Sequence, residues 1–161
     1  MSTEATWQTR STDSNATEKI AALIGSNLRG GETIELISDL AGGKTTFVRG
    51  LVLGVESTDK VASPTFTISR VYDTGKLKIY HFDFYRLHEA GMVAHELEEA
   101  LSDPHNVVIV EWADIVQGVL PLERMAININ TVGATERELT FVYPETMQYL
   151  LKGQKGVDTN N

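Results

Sequence analysis

The sequence predicts an α/β domain of three layers, with helices on both faces of a mixed central β-sheet. Apolar runs typical of strands alternate with segments whose apolar residues recur at helical spacing. The length of 161 residues, without a composition shift or repeat, suits one domain. We therefore assign residues 1–161 to a single domain. Residues 1–12 and 152–161 are polar and aperiodic and are expected to be flexible ends, with a short edge strand in EATWQTR as the alternative.

The composition narrows the possible chemistry. The chain has no cysteine, which excludes disulfides, thiol catalysis, cysteine-ligated zinc and iron–sulfur clusters. Its net charge of -8 opposes binding of a nucleic-acid backbone over a broad surface. No apolar run reaches the roughly 18 residues of a membrane-spanning helix, and the N-terminus does not resemble a signal peptide. We expect a cytoplasmic protein that binds phosphate only at a small local site.

The first half of the chain predicts a helix, a strand and a second helix. Apolar spacing indicates a helix over about 16–29, capped by Asn15 with Glu18 three residues later. The run ETIELI at 32–37 is typical of a buried strand. Two glycines follow, and helical spacing resumes up to Gly54.

The second half predicts mostly strands. The predicted elements are, in order, strands at 66–72 and 76–82 joined by a tight turn, a helix at about 89–101, a buried strand at 106–112, a hairpin that includes 125–129 and 139–141, and a short helix at 145–151.

A phosphate-binding loop is predicted between the first strand and the second helix. The segment SDLAGGKT, from Ser38 to Thr45, follows the pattern G-x-x-x-x-G-K-[ST] with serine in the first glycine position. A strand–loop–helix context directs free backbone amides and the positive helix end towards phosphates. Lys44 is expected to reach the terminal phosphates and Thr45 to offer an oxygen to Mg²⁺. This predicts a P-loop NTPase-like domain; a glycine-rich connection with a solvated lysine is the alternative.

Two carboxylates are candidates for the same site. Glu111 ends the apolar run VVIV and is expected to hold the metal, with Trp112 packing over the site. In IYHFDFY, strand alternation directs His81 and Asp83 to the face opposite the aromatic residues. Asp83 is expected to hold a metal-bound water or to orient the attacking water. A solvated glutamate and a turn-forming aspartate are the respective alternatives.

Two other features receive weaker interpretations. Proline in Ser-Pro-Thr favours an extended loop, in which Thr65 would sense a γ-phosphate, or an ordinary turn. His81, His88 and His95 recur every seven residues but fall on different predicted elements. We therefore expect surface imidazoles, or imidazoles that support a site, in place of a zinc centre. The acidic stretch 95–99 is expected to be a solvated helix face.

Four segments together resemble one family. DLAGGKTTFVRG at 39–50, SPTF at 63–66, YHFDFYRL at 80–87 and VEW at 110–112 are similar, in order and spacing, to the TsaE (YjeE) family. That family is the bacterial ATPase subunit of the machinery that makes N6-threonylcarbamoyladenosine (t6A) in tRNA. Its loop usually reads GDLGAGKT, so Ser38 and the exchanged Ala41 and Gly42 are departures that concern nucleotide affinity.

The resemblance implies roles for particular residues. ATP and Mg²⁺ would be the ligands, Thr45 and Glu111 would hold the metal, and Asp83, Thr65 and Lys44 would be catalytic. The nucleotide would contact Asp39, Leu40, Ala41, Gly42, Gly43, Lys44, Thr45, Thr46 and Trp112, with Thr17 and Arg137 framing the adenine.

The resemblance also implies an ATPase that is weak alone and dependent on partners. Those partners would be TsaB- and TsaD-type subunits of the tRNA-modifying complex, and the chain itself would not bind tRNA strongly. A small-molecule kinase is one alternative, although the arginines are scattered and form no dense lid. A nucleotide-binding interaction module with little hydrolysis is the other. ATP is favoured over GTP because no Asn-Lys-x-Asp motif is present.

Overall fold

The computed structural model describes residues 3–38, 43–57, 69–85, 87 and 91–157, with the side chain of Met92 excepted. These residues form a mixed seven-stranded sheet with helices on both faces, as the sequence predicts. The strands are β1 (Glu4–Ser11), β2 (Thr33–Ile37), β3 (Ser69–Asp73), β4 (Lys78–Asp83), β5 (Asn106–Glu111), β6 (Met125–Thr131) and β7 (Arg137–Pro144). The α-helices are α1 (Ser14–Asn27), α2 (Lys44–Gly54) and α3 (Gly91–Ser102), and 3₁₀ helices span Ala113–Val116 and Glu145–Leu151.

The order of the strands brings three chain segments to one edge of the sheet. The order is β1-β7-β6-β2-β5-β4-β3, with β2 parallel to β5 and β6, and β4 parallel to β5. In this register Glu111 lies beside Leu36 of β2 and beside Asp83 of β4. Ligands of open α/β sheets bind beyond the carboxyl ends of parallel strands. The topology therefore predicts a ligand site at the edge where β2, β4 and β5 end.

Each face of the sheet has its own apolar core. On one face, Ile34 and Ile109 pack with Phe47 and Leu51 of α2 and with residues of α1. On the other, Phe82 and Val110 pack with residues of α3 and of the 3₁₀ helix after β5. All six residues of β5 are buried. This explains why residues 107–110 form an uninterrupted apolar run, because a strand covered on both faces shows no alternation.

Close contact between α1 and α2 positions the start of α2. A Cβ atom built on Gly50 would lie 2.5 Å from the carbonyl oxygen of Glu18, and one on Gly54 would lie 2.1 Å from that of Ala22. No side chain fits at those distances, so both positions require glycine. The N-terminal part of α1 consequently lies next to the beginning of α2.

Two boundaries differ from the sequence prediction at the N-terminus. Helix α1 is capped by Asp13, whose carboxylate accepts a hydrogen bond from the Ala16 amide at 2.8 Å, and not by Asn15. The backbone of Asp13 is extended, and the helix begins at Ser14, two residues before the predicted start near residue 16. The expected frayed end is wrong for residues 4–11. The alternative of an edge strand is confirmed, because β1 pairs with β7 along its whole length.

The other elements follow the predicted order. The predicted strand at 66–72 begins at Ser69 within the described residues, and its first three positions lie outside them, as do positions 89 and 90 of the predicted helix. The tail contacts the domain through Gln154, which donates to the Ile20 carbonyl at 2.9 Å, and through the Lys155 carbonyl, which accepts from Trp7. None of the helices that the structure describes has the length and apolar character needed to cross a membrane.

Candidate functional site

The start of α2 lies beyond the carboxyl end of β2. Gly43 caps the helix with φ 93° and ψ 21°, a left-handed conformation that strains residues carrying a Cβ. Lys44, Thr45 and Thr46 form the first turn, where backbone amides have no partner within the helix. Such an end attracts anions. The predicted phosphate contacts at Asp39, Leu40, Ala41 and Gly42 lie outside the described residues.

Lys44 is held at this edge by three groups. Its side chain is only 8% exposed, and its ammonium nitrogen lies 3.7 Å from Oε1 of Glu111. The same nitrogen donates to the Ser38 carbonyl at 3.4 Å and lies 4.7 Å from the centre of the Trp112 ring. A carboxylate, a carbonyl and an aromatic face all stabilise a positive charge. A positive charge is therefore held at the start of α2, beside Glu111, Ser38 and Trp112.

Two carboxylates from neighbouring strands complete this edge. Glu111 is 3% exposed, and its Oε2 is hydrogen bonded to Nε2 of His81. Asp83 is half-buried beside it and accepts a hydrogen bond from the Tyr85 amide at 3.0 Å. Burial raises the pKa of Asp83, and the negative charge of Glu111 raises it further, against the lowering effect of the Tyr85 amide. Two carboxylates in different environments are thus available for different tasks.

Trp112 has an unusual backbone at the end of β5. Its φ of 55° and ψ of 51° lie in the left-handed region, which costs a bulky residue about 1–3 kcal/mol. This turn lets the ring lie over Lys44 and meet the Tyr85 ring at a centroid distance of 4.9 Å. Strained residues of this kind concentrate at functional sites. Trp112 thus lies over Lys44, and its predicted contact with a nucleotide stays a prediction.

A cavity of about 210 Å³ adjoins the start of α2. Thr17 and Arg137 both line it, although 120 residues separate them, and so do Gly43 and Thr46. The Thr17 hydroxyl is paired with that of Ser11 at 2.6 Å. The guanidinium of Arg137 donates to backbone carbonyls of its own turn. The residues that sequence reasoning missed here are Asp13, Ser14, Ala134 and Thr135.

The structure brings most of the predicted site residues to one edge of the molecule. Lys44, Glu111, Asp83 and Trp112 form one group, and Thr17, Arg137, Gly43 and Thr46 line the adjoining cavity. Thr45 lies between Lys44 and Thr46 in the first turn of α2. Thr65 lies outside the described residues.

His81 distinguishes between the two interpretations of the imidazoles. The sequence predicted surface imidazoles or imidazoles that support a site, and His81 is fully buried against Glu111, which contradicts the first for this residue and fits the second. The available signal was strand alternation, which places His81 on the same face as Asp83. His88 lies outside the described residues, and His95 is exposed on α3 beside exposed glutamates, as predicted for a solvated face. No cluster of three metal-ligating side chains was found in the described part of the chain.

The donor chemistry fits a polyphosphate with a hard divalent cation. Carboxylate and hydroxyl oxygens, as on Glu111, Asp83 and Thr45, are the ligands that Mg²⁺ prefers. Lys44 and the amides of α2 suit the phosphates, and no thiolate competes because the chain lacks cysteine.

Comparisons with known proteins identify the family of this chain. Residues 11–139 match the family model described as "Threonylcarbamoyl adenosine biosynthesis protein TsaE". The tRNA threonylcarbamoyladenosine biosynthesis protein TsaE of Bacillus subtilis (strain 168) is 38% identical over 136 residues, which cover 82% of each chain. The protein of the same name from Treponema pallidum is 33% identical over 124 residues, covering 77% of this chain and 91% of its own.

A solved structure gives the same result at the level of the fold. The crystal structure of Bacillus subtilis YdiB superposes with a TM-score of 0.74 at 34% sequence identity, covering 94% of this chain and 93% of that one. The α/β fold is of the P-loop NTPase type. From the family match and these relatives, the chain belongs to the TsaE family.

Proposed function

We propose that this protein is a Mg²⁺-dependent ATPase subunit that acts with partner proteins in forming t6A in tRNA. The observation that carries the proposal is the meeting of Lys44, at the amide-rich start of α2, with Glu111 and Asp83 at the ends of two neighbouring strands. The names of the relatives, which refer to this tRNA modification, support the pathway.

Each group has a distinct task in the proposed site. The amides of α2 and the Lys44 ammonium bind the phosphates, and the cavity beside Thr17 and Arg137 accommodates the adenine. Thr45 and Glu111 hold Mg²⁺, which neutralises phosphate charge when it is bound. Binding of the phosphates gives Lys44 a second anionic partner besides Glu111.

Asp83 acts on water. Burial and the charge of Glu111 raise its pKa, so its carboxylate is a stronger base than an ordinary aspartate. Its backbone is anchored in β4, next to β5, and the Tyr85 amide orients one of its oxygens. The other oxygen is left to accept a hydrogen bond from the attacking water and align it.

The charge of the protein favours a role through partners. A chain with a net charge of -8 repels the tRNA backbone, so subunits of TsaB and TsaD type hold the tRNA and this chain acts through protein contacts. Hydrolysis by the isolated chain is slow, because contacts with partners complete the site.

Reconstitution of t6A formation from purified subunits tests this proposal. We expect repeated turnover with the wild-type chain and none with Lys44→Ala, which also lowers ATP affinity more than about 100-fold because the charge-assisted contacts to the phosphates are lost. Calorimetry measures the affinity, and circular dichroism establishes that the variant is folded. The matched control is Lys19→Ala, at an exposed position of α1, which should behave as wild type.

Equal turnover with and without this protein would refute the proposed role. Unchanged ATP affinity in a folded Lys44→Ala variant would refute the phosphate site itself.

A further inference from the structure

His81 is a polar side chain on β4, the strand next to the edge strand β3. It is fully buried, and its strand neighbours in register are Ile109 of β5 and Arg70 of β3. The surrounding face is apolar and includes Ile79, Ile109 and Leu36. An imidazole here pays a desolvation cost that an aliphatic side chain would avoid. Packing alone therefore does not explain a histidine at this position.

The hydrogen bond between this imidazole and Glu111 defines its tautomer. Nε2 faces Oε2 of Glu111, and a carboxylate can only accept, so the hydrogen is on Nε2 and His81 donates. Nδ1 is buried and has no hydrogen-bond partner among the residues that the structure describes. Among the described residues, the imidazole of His81 thus hydrogen bonds to Oε2 of Glu111 alone.

This contact leaves the second carboxylate oxygen oriented. With Oε2 held by His81, Oε1 points towards the Lys44 ammonium, 3.7 Å away, and hence towards the start of α2. A glutamate has three rotatable side-chain bonds, and holding it in one rotamer costs conformational entropy. A fixed donor provides that restraint before a ligand arrives.

We infer that His81 is the positioning residue for Glu111, orienting its carboxylate for the divalent cation bound with the nucleotide. The inference rests on the proposed function, because it assigns Glu111 to that cation. His81 itself touches neither the nucleotide nor the cation. Groups that orient a metal ligand in this way contribute about 10–100-fold to metal affinity.

The test compares a variant that keeps the donor with one that removes it. In His81→Gln, the side-chain amide can donate from a position similar to that of Nε2. His81→Leu fills the space without a donor. The exposed His95→Leu is the matched control. Calorimetry measures ADP affinity in EDTA and the Mg²⁺ concentration that half-saturates the Mg²⁺-dependent gain in affinity.

We expect His81→Leu to bind ADP in EDTA within about threefold of wild type, because Lys44 and α2 are intact. Its half-saturating Mg²⁺ concentration should rise about 10–100-fold. His81→Gln should restore that concentration to within about threefold of wild type, and His95→Leu should not change it. The rate of ATP hydrolysis by His81→Leu, relative to wild type, should be higher at saturating Mg²⁺ than at low Mg²⁺.

Other results would overturn the inference. Wild-type Mg²⁺ dependence in a folded His81→Leu variant would show that Glu111 needs no support. Equal losses in the Leu and Gln variants, with lowered thermal stability and weakened ADP binding in EDTA, would show a purely structural role.

Failure of the proposed function gives a different pattern. The wild-type chain itself would then show no Mg²⁺-dependent gain in nucleotide affinity. Thermal unfolding of His81→Leu, Glu111→Gln and the double variant, all without nucleotide, reports separately whether the two side chains are coupled.

Discussion

Two buried glutamates lie at opposite edges of the same sheet. Glu32 precedes β2 and is 4% exposed, whereas Glu111 ends β5 and is 3% exposed. Because β2 and β5 are parallel, Glu32 lies at the edge of the sheet where these strands begin, and Glu111 lies at the edge where they end. The two carboxylates are equally buried, so their surroundings account for any difference between them.

Glu32 is satisfied by donors that are held in place. Its oxygens accept hydrogen bonds from the amides of Arg29 at 2.9 Å and Gly30 at 2.7 Å, and from the Tyr149 hydroxyl at 2.6 Å. The Arg29 guanidinium lies over the Tyr149 ring. Burial raises the pKa of Tyr149, and its bond to Glu32 raises it further. This cluster joins the start of β2 to the C-terminal 3₁₀ helix and has a structural role.

Glu111 has partners of another kind. They are the side chains of His81 and Lys44, and the half-buried Asp83 lies beside them on the next strand. The adjoining Trp112 has a strained backbone. A buried carboxylate with backbone donors is typical of a stabilising role, whereas one beside other ionisable side chains is typical of a functional site.

Replacement of Glu111 should have the largest effect and should distinguish the two glutamates most clearly. We expect Glu111→Ala to abolish the thermal stabilisation that Mg²⁺ adds to ATP, because a ligand of the cation is lost. Thermal shifts with ATP, with and without Mg²⁺, measure this. Glu32→Gln is the matched control and should lower the melting temperature while leaving the Mg²⁺ effect intact. Persistence of that effect in Glu111→Ala would remove Glu111 from the metal site.

Replacement of Asp83 should separate hydrolysis from binding. We expect Asp83→Asn to bind ATP as wild type does and to hydrolyse it about 100-fold more slowly, because the amide cannot act as a base towards water. Single-turnover kinetics and calorimetry measure the two quantities. If Asp83→Asn lost Mg²⁺-dependent binding and Glu111→Ala lost only hydrolysis, the roles of the two carboxylates would have to be exchanged.

The same variant should show a pH-dependent gain in stability. The pKa of Asp83 is raised in the folded state, so folding favours its protonated form, and ionisation destabilises the fold as the pH rises through that pKa. Asp83→Asn should therefore be more stable than wild type at neutral pH, and the difference should disappear in acid. Urea unfolding over a pH series measures this, and a constant difference would contradict it.

Replacement of Tyr149 should have the smallest effect and act on stability alone. Tyr149→Phe removes the hydroxyl bond to Glu32 and should lower the free energy of unfolding by about 1–2 kcal/mol. ATP affinity should not change, because this cluster lies at the opposite edge. The substitution should cost less in a Glu32→Gln background if the two groups are coupled. A change in nucleotide affinity would show that the edges communicate.

The amino-acid sequence by itself determined the local part of this site. The order of strand, glycine loop and helix, the lysine at the start of α2, and the carboxylates at the ends of β4 and β5 are all readable from short segments. Alternation also predicted correctly that Phe82 and Asp83 lie on opposite faces of β4. These features depend on backbone period and on the chemistry of neighbouring residues, which a short stretch of sequence contains.

Only the tertiary structure decided which distant segments meet. The pairing of β1 with β7 joins the two ends of the chain and converts an expected frayed terminus into an edge strand. Thr17 and Arg137 meet at one cavity because α1 and β7 converge there, and the bond of His81 to Glu111 exists because β4 lies next to β5. Each contact depends on strand order and register, which are set by burial across the whole sheet and not by the residues adjacent in sequence.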